Sequence, residues 1–189
     1  MYIIYLVWRD VLDTLWDPIE YKVVEIYPSF ITVLFHTYHV IFYDDIPYDE
    51  KVHHMVNVYI TLPLLWMCYN KACNFALSVM MGLPGGLTYG LLFLKDINII
   101  ESITEKNISA NLNLWIRCPG AICAAMIVYM QMRYHPEIFN GLTFIVGIIS
   151  IIGTYWNGIY FMRTIVESRI KYIMREHMKI TENQQVLVQ

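Results

Sequence analysis

The stretch that decides the fold is residues 138–163, IFNGLTFIVGIISIIGTYWNGIYFMR. It holds no charged residue before Arg163, and a helix needs about 20 apolar residues to cross the hydrocarbon core of a bilayer. Apolar blocks of similar character recur through the chain and are separated by short groups of charged residues. Hydrophobic residues make up 57% of the sequence and charged residues 15%, a balance outside the range of ordinary soluble domains. The sequence therefore predicts an integral membrane protein that crosses the bilayer several times.

We expect an all-α fold, a polytopic transmembrane helical bundle of five spans preceded by a short N-terminal interfacial helix or partial span. The predicted spans are Pro28–Tyr43, Val52–Tyr69, Asn74–Leu94, Leu112–Met132 and Ile138–Arg163, the first of them starting near Val23. The corresponding segments are residues 1–22 for the N-terminal helix, 23–165 for the bundle and 166–189 for a basic C-terminal tail. At 189 residues there is no room for a separate soluble domain.

The charges predict an orientation and the kind of partner. Lys and Arg are concentrated after Arg163, which favours a cytoplasmic C-terminus because cytoplasmic flanks of membrane helices are enriched in these residues. Counting back through five spans places the connections at 44–51 and 95–110 on the same side. The net charge of −3 argues against a nucleic-acid binder, so we expect membrane lipids and other membrane proteins as partners.

Histidines gather around the acidic turn that joins the first two predicted spans. His36 and His39 lie near the end of one span, and His53, His54 and Asn57 open the next. Ionisable residues inside a membrane are costly and mark candidate functional sites. Two interpretations stay open. The imidazoles form an interfacial polar site for a metal, a proton relay or a general base for acyl transfer near the headgroups, or they only begin a helix at the interface and bond to neighbours.

Metal and cofactor chemistry is not expected here. Only six histidines are present, too few for the spaced histidine boxes that hold two irons in lipid hydroxylases, and a haem between His39 and His53 or His54 has no supporting motif. We predict no metal site and no cofactor. The four cysteines lie in or beside the predicted spans, where we expect buried, unpaired thiols. They are Cys68, Cys73, Cys118 and Cys123.

Three further features qualify as lipid-contacting positions. The stretch 82–90, GLPGGLTYG, predicts either a kink for close helix packing or a broken helix that lines a lipid-sized cavity, with Gly85, Gly86 and Tyr89 at its edge. Arg117 lies near the start of a predicted span, where it can snorkel to the headgroups or pair with Glu101, Glu105 or a lipid phosphate. Asn157 in the last span predicts a buried amide that bonds between helices.

Taken together, these elements resemble the TLC domain family of membrane proteins, whose members include ceramide synthases and smaller lipid-regulating proteins. The resemblance rests on the His53-His54 pair that opens a span after an acidic turn, on the small-residue and proline segment Gly82–Gly86, and on an Asn-rich stretch with Arg117 at a span start. A closing span with Trp-Asn-Gly-Ile-Tyr-Phe at 156–161 then runs into a basic tail. The similarity covers residues 26–179.

The resemblance implies a lipid-related role. In ceramide synthases the double histidine works with acidic residues of the following spans to transfer an acyl group to a sphingoid amine, and His53 and His54 occupy the corresponding catalytic positions here. The acidic partners are missing, because no Asp or Glu occurs between Glu50 and Asp96. The resemblance therefore implies a divergent member of the family without ceramide synthase activity.

Three functions remain open on the sequence. The first is a lipid-binding or lipid-regulating protein of the endoplasmic reticulum or a related endomembrane, acting through a cavity lined by histidines. The second is an acyltransferase-like enzyme with His53 or His54 as general base, and the third is a structural subunit of a membrane complex. An enzyme needs a carboxylate or second histidine beside its base, and Asp44, Asp45, Asp49 and Asp96 are the candidates.

Overall fold

The protein was analysed as a computed structural model, which describes residues 2–42 and 48–187, apart from the side chains at 49, 50, 53, 57 and 182–187. Over these ranges the structure is helical and contains no strand. The α-helices are α1 Tyr2–Trp16, α2 Tyr27–Phe42, α3 Tyr48–Val56, α4 Leu62–Leu65, α5 Lys71–Leu77, α6 Leu83–Asp96, α7 Ser102–Leu112, α8 Cys118–Tyr134 and α9 Gly141–Leu187. Three π-helical turns join consecutive helices without a break, namely π1 Asn57–Thr61, π2 Ser78–Gly82 and π3 Asn113–Arg117. The all-α prediction is confirmed.

Among the described residues, three continuous helices are long and apolar enough to cross a membrane, fewer than the five predicted. They are Lys71–Asp96, Ser102–Tyr134 and Gly141–Thr181. The two earlier predicted spans are shorter: α2 has 16 residues, about 24 Å of helix against a hydrocarbon core of about 30 Å. The apolar part of the next segment runs only from His54 to Cys68. Three spans of this kind indicate a membrane protein.

Each π-turn is followed two residues later by a proline. Pro63 follows π1, Pro84 follows π2 and Pro119 follows π3. A proline inside a helix has no N–H to donate and its ring collides with the carbonyl four residues earlier, so the preceding turn must widen. The segment Gly82–Gly86, expected to break or kink its helix, is therefore part of a continuous helix with one widened turn.

Arg117 does not lie near the start of a span, because the helix that carries it begins earlier than predicted. The polar connection expected over 95–110 is confined to Ile97–Glu101, and helical structure begins again at Ser102. Asn98 makes that short turn possible, because it adopts a φ of 58°, a conformation that asparagine tolerates better than most residues. As a result Arg117 lies near the middle of a 33-residue helix rather than near its start.

Two groups of hydrogen bonds define the two ends of the bundle. At one end, the Lys71 amide donates to the Lys22 carbonyl over 3.0 Å, and the Gln131 side chain donates to the Glu20 carbonyl over 3.2 Å. At the other end, Arg169 Nε donates to Asn107 Oδ1 over 2.6 Å. The tail after Arg163 thus continues α9 as a helix and lies beside α7. We call these the Lys71 end and the Asp96 end.

Close helix packing rests on small residues. A Cβ atom on Gly158 of α9 would lie 2.5 Å from the Cβ of Ala121 on α8, and one on Gly120 would lie 2.7 Å from Val79. Ala121 and Ala124 are fully buried in these contacts. Small residues let membrane helices approach closely, which is the main source of packing energy where lipid is as apolar as the side chains.

The cysteines only partly match the expectation of burial. All four are free, and three of them are buried. Cys123 is exposed on α8. Outward-facing positions of the long helices are occupied by large apolar side chains such as Trp115, Phe144 and Ile152, as expected for a surface that faces lipid.

Candidate functional site

Three histidine rings meet where α2 packs against α3. The ring centroids of His36 and His54 are 4.9 Å apart, and those of His39 and His54 are 5.3 Å apart. His36 and His39 are three residues apart and so share a face of α2, while His54 comes from the opposing helix with 7% of its surface exposed. We call these three residues the histidine cluster. The side chains of His53 and Asn57, also predicted site residues, lie outside the described part of the chain.

The tautomer of one ring follows from its hydrogen bond. His36 Nδ1 lies 2.8 Å from the carbonyl oxygen of Thr32, one turn earlier in α2. A carbonyl only accepts, so Nδ1 carries the proton and donates it. In the neutral ring Nε2 is then the acceptor nitrogen. The cluster therefore offers a basic nitrogen whose direction is set by the helix backbone.

Tyr89 of α6 borders the cluster on its outer side. The ring centroids of His39 and Tyr89 are 6.5 Å apart, and 62% of the tyrosine surface is exposed. Tyr89 is seven residues before Asp96, so this level of the bundle is about 10 Å inside the Asp96 end. The histidine cluster therefore lies beside an exposed ring on a helix that is long and apolar enough to cross a membrane.

Arg117, on the neighbouring helix Ser102–Tyr134, lies deeper in the bundle. If Gly85 carried a Cβ, that atom would lie 3.7 Å from Arg117 Nη2, so the guanidinium extends across the backbone of α6 at a position without a side chain. Its carbon lies 5.0 Å from the ring centroid of Phe161 in α9, a cation–π contact. Arg117 Nε is buried and has no hydrogen-bond partner among the described residues. A charged residue at the centre of a membrane helix costs about 2.5–3.5 kcal/mol on insertion scales, so this placement calls for a compensating role.

The remaining predicted site residues lie either near the histidine cluster or near Arg117. Tyr89 lies one turn beyond Gly85 on the same face of α6, which links the histidine cluster to Arg117. Gly86 follows in the same helix and is half-buried. Asn157 is buried in α9, one turn before Phe161, and so lies on the Arg117 side. The described members of the predicted set therefore lie near α6, some at the histidine cluster and the others at Arg117.

A row of buried polar residues on α7 and π3 was not predicted. Glu105, Ser109 and Asn113 recur every four residues and are all buried. Ser109 Oγ donates to Glu105 Oε1 over 2.9 Å, and Asn113 Nδ2 donates to the Ser109 carbonyl over 2.8 Å. The four-residue spacing can be read in the sequence. It was not recognised as a buried helix face because residues 95–110 were expected to be a connection between spans.

The Lys71 end holds a second polar network that the sequence did not reveal. Lys71 lies between the predicted spans Val52–Tyr69 and Asn74–Leu94, yet its side chain is fully buried. Its ammonium lies 2.6 Å from Glu20 Oε2 and 3.3 Å from the Asp13 carbonyl. Asn74 Nδ2 donates to Asp10 Oδ2 over 2.7 Å. These bonds fasten α1 and the segment that follows it to α5.

Of the four aspartates that could serve as carboxylate partners of the histidines, the structure describes the side chain of Asp96 alone. Asp96 is paired with Lys95 at 3.0 Å at the end of α6. Asp44 and Asp45, and the side chain of Asp49, lie outside the described part of the chain. Within the described ranges, no group of three or more His, Cys, Asp or Glu side chains is arranged to hold a metal ion.

Comparison of the chain with protein-family models, with curated proteins and with solved structures gives no match. The chemistry of the site is therefore the basis for any functional conclusion. That chemistry is a group of imidazoles beside the exposed ring of Tyr89, with the Arg117 guanidinium beside Gly85, one turn from Tyr89 in α6.

Proposed function

We infer that this membrane protein binds membrane lipid at the histidine cluster, with the headgroup beside the imidazoles and the acyl chains along the outer face of α2 and α6. The observation that carries the proposal is the packing of His36, His39 and His54 beside the exposed ring of Tyr89. Imidazoles inside apolar helices are costly unless they contact polar groups, and a lipid headgroup supplies both donors and acceptors.

The proposal includes the five-span topology. In it, α2 and the helical run from Tyr48 to Cys68 are the two additional spans, with flanking aromatic residues at the interfaces. The resemblance to the TLC family supports both this topology and a lipid-regulating role, and with it a location in the endoplasmic reticulum or a related endomembrane. It adds no carboxylate to the site, so we favour binding over acyl transfer.

The test is native mass spectrometry of the detergent-purified protein. The variant His36→Ala/His54→Ala removes two rings of the cluster, and His177→Ala removes an exposed ring of the tail as a matched control. Circular dichroism and size-exclusion chromatography report whether each variant is folded. We expect a co-purifying lipid with the wild type and the control and its loss from the folded double variant.

Two results would contradict the proposal. A lipid retained equally by the double variant would show that the histidines are not at the binding site. A wild-type protein that carries no lipid, and takes none up from mixed vesicles, would favour a structural subunit instead.

A further inference from the structure

Arg117 brings a cation into the bundle, and no acidic side chain of the described residues pairs with it. Its own helix offers Glu105 as the nearest acid on the N-terminal side, 12 residues away or about 18 Å along the axis, and that carboxylate accepts from Ser109. None of the ion pairs formed by the described residues includes Arg117. The guanidinium has a cation–π contact with Phe161, but that leaves its buried Nε–H without an acceptor among the described residues.

Two more buried polar atoms lack partners close to Arg117. Thr88 Oγ1 on α6 and Asn113 Oδ1 in π3 have no hydrogen-bond partner among the described residues. Thr88 is three residues after Gly85, which touches the guanidinium, and Asn113 is one turn before Arg117. Because α6 packs against π3, these atoms border the same seam between the two helices. Buried polar groups in native proteins are normally paired, so three orphans in one seam indicate a missing ligand.

The histidine cluster lies at one end of this seam. Tyr89, which touches His39, is four residues beyond Gly85, about 6 Å along the axis of α6. This rise along the helix is similar to the reach of a phosphate that makes a hydrogen bond on each side. A ligand group in the seam could therefore contact the guanidinium on one side and the imidazoles on the other.

We propose that Arg117 binds the phosphate monoester of an anionic lipid such as phosphatidic acid. This rests on the proposed lipid-binding function and names the headgroup that the site selects. The planar guanidinium presents paired N–H donors that match two phosphate oxygens, and the Thr88 hydroxyl donates to another. Asn113 Oδ1 is an acceptor and needs a donor from the ligand, which a monoester supplies through its P–OH group. The acyl chains leave the seam past Tyr89 into the bilayer.

The experiment compares three probes with the purified protein in detergent. Dioleoyl phosphatidic acid carries the phosphate, dioleoylglycerol carries the same chains without it, and inorganic phosphate carries the anion alone. Binding is titrated by native mass spectrometry and by the shift in thermal unfolding temperature. The variants are Arg117→Gln and Arg117→Lys, with Arg133→Gln as the control because Arg133 is exposed on the same helix.

We expect the wild type to prefer phosphatidic acid over dioleoylglycerol by about tenfold or more, as charge-assisted hydrogen bonds in a dry site imply. Arg117→Gln should abolish the preference, Arg117→Lys should retain part of it, and Arg133→Gln should leave it unchanged. Should Arg117→Gln not fold, the preference of the wild type and the Lys variant still decides the question.

Other outcomes overturn the inference in different ways. Equal affinity for the two lipids in the wild type removes the phosphate site but leaves lipid binding intact. Equal loss of the preference in Arg117→Gln and Arg133→Gln places the selectivity elsewhere. Binding of inorganic phosphate at Arg117 without either lipid identifies a free anion as the ligand, and binding of none of the probes overturns the proposed function as well.

Discussion

The ammonium of Lys71 lies 2.6 Å from the carboxylate of Glu20, and the two partners differ sharply in their surroundings. Lys71 is fully buried, whereas 53% of the Glu20 side chain is exposed. The pair therefore joins a solvated loop to the first turn of a membrane-spanning helix. The cost of removing one partner therefore depends on which one is removed. Removal of Glu20 leaves a buried, unpaired ammonium, whereas removal of Lys71 leaves a carboxylate that water can reach.

Glu20→Gln should destabilise the protein more than Lys71→Met. The first change leaves a buried ammonium without its counter-charge, and the loss should be about 2 kcal/mol, below the 3–5 kcal/mol of a fully buried pair because water reaches Glu20. The second change fills the same space with an apolar chain and leaves Glu20 in water. Unfolding in mixed detergent and SDS micelles measures both free energies. Equal losses, or a larger loss for Lys71→Met, would contradict the asymmetry.

Acid should weaken the attachment of α1. The hydrogen bond and charge of Lys22, 2.6 Å away, lower the pKa of Asp13 below its usual value. A carboxyl whose pKa falls on folding adds stability above its unfolded pKa of about 3.9, and this contribution is lost as the pH falls through the folded value. The unfolding temperature of the wild type should therefore approach that of Asp13→Asn below about pH 4. Both groups are exposed, so the difference should be small and should shrink in high salt.

The sequence predicted the class of fold because apolar composition and charge spacing depend only on local chemistry. It misplaced Arg117 because the boundary of a span was taken from the first apolar residue after a polar stretch. In the structure that polar stretch is itself helical, and its polar residues Glu105, Ser109 and Asn113 face inward where the neighbouring helices cover them. Which face of a helix is covered is a tertiary property, and hydropathy averaged along the chain does not contain it.

The site was predicted in part for a related reason. His36 and His39 were assigned to one face from their spacing alone, and the structure shows that face meeting His54. Gly85 lies close to Arg117 because the widened turn before Pro84 rotates the faces of α6 about the helix axis relative to those of α5. A proline in the sequence favours a π-turn before it, but the packing of the adjacent helices sets how far that turn rotates the rest of the helix.

Replacement of Gly158 by alanine should loosen the contact between α8 and α9. The added methyl group would lie 2.5 Å from the Cβ of Ala121, so the helices must separate at a cost of about 1–3 kcal/mol, typical of overpacking. Gly153 is the matched control, because a methyl group there meets nothing within 4 Å. Thermal unfolding of the two variants in detergent should show a lowered midpoint for Gly158→Ala alone. A similar midpoint for both would mean that the helices can move apart freely.

The indole of Trp66 should stabilise the junction of α2 and the end of the Tyr48–Cys68 run through a single hydrogen bond. Trp66 Nε1 donates to Ser29 Oγ over 2.9 Å, and its ring stacks on Phe30 with centroids 4.8 Å apart. Trp66→Phe keeps an aromatic ring for the stack but leaves the fully buried Ser29 hydroxyl without its donor, so we expect a loss of about 1–3 kcal/mol. Ser29→Ala in the Trp66→Phe background should recover part of that loss, because no polar atom is then left unpaired. A double variant less stable than Trp66→Phe by the full cost of Ser29→Ala would show that the two residues act independently.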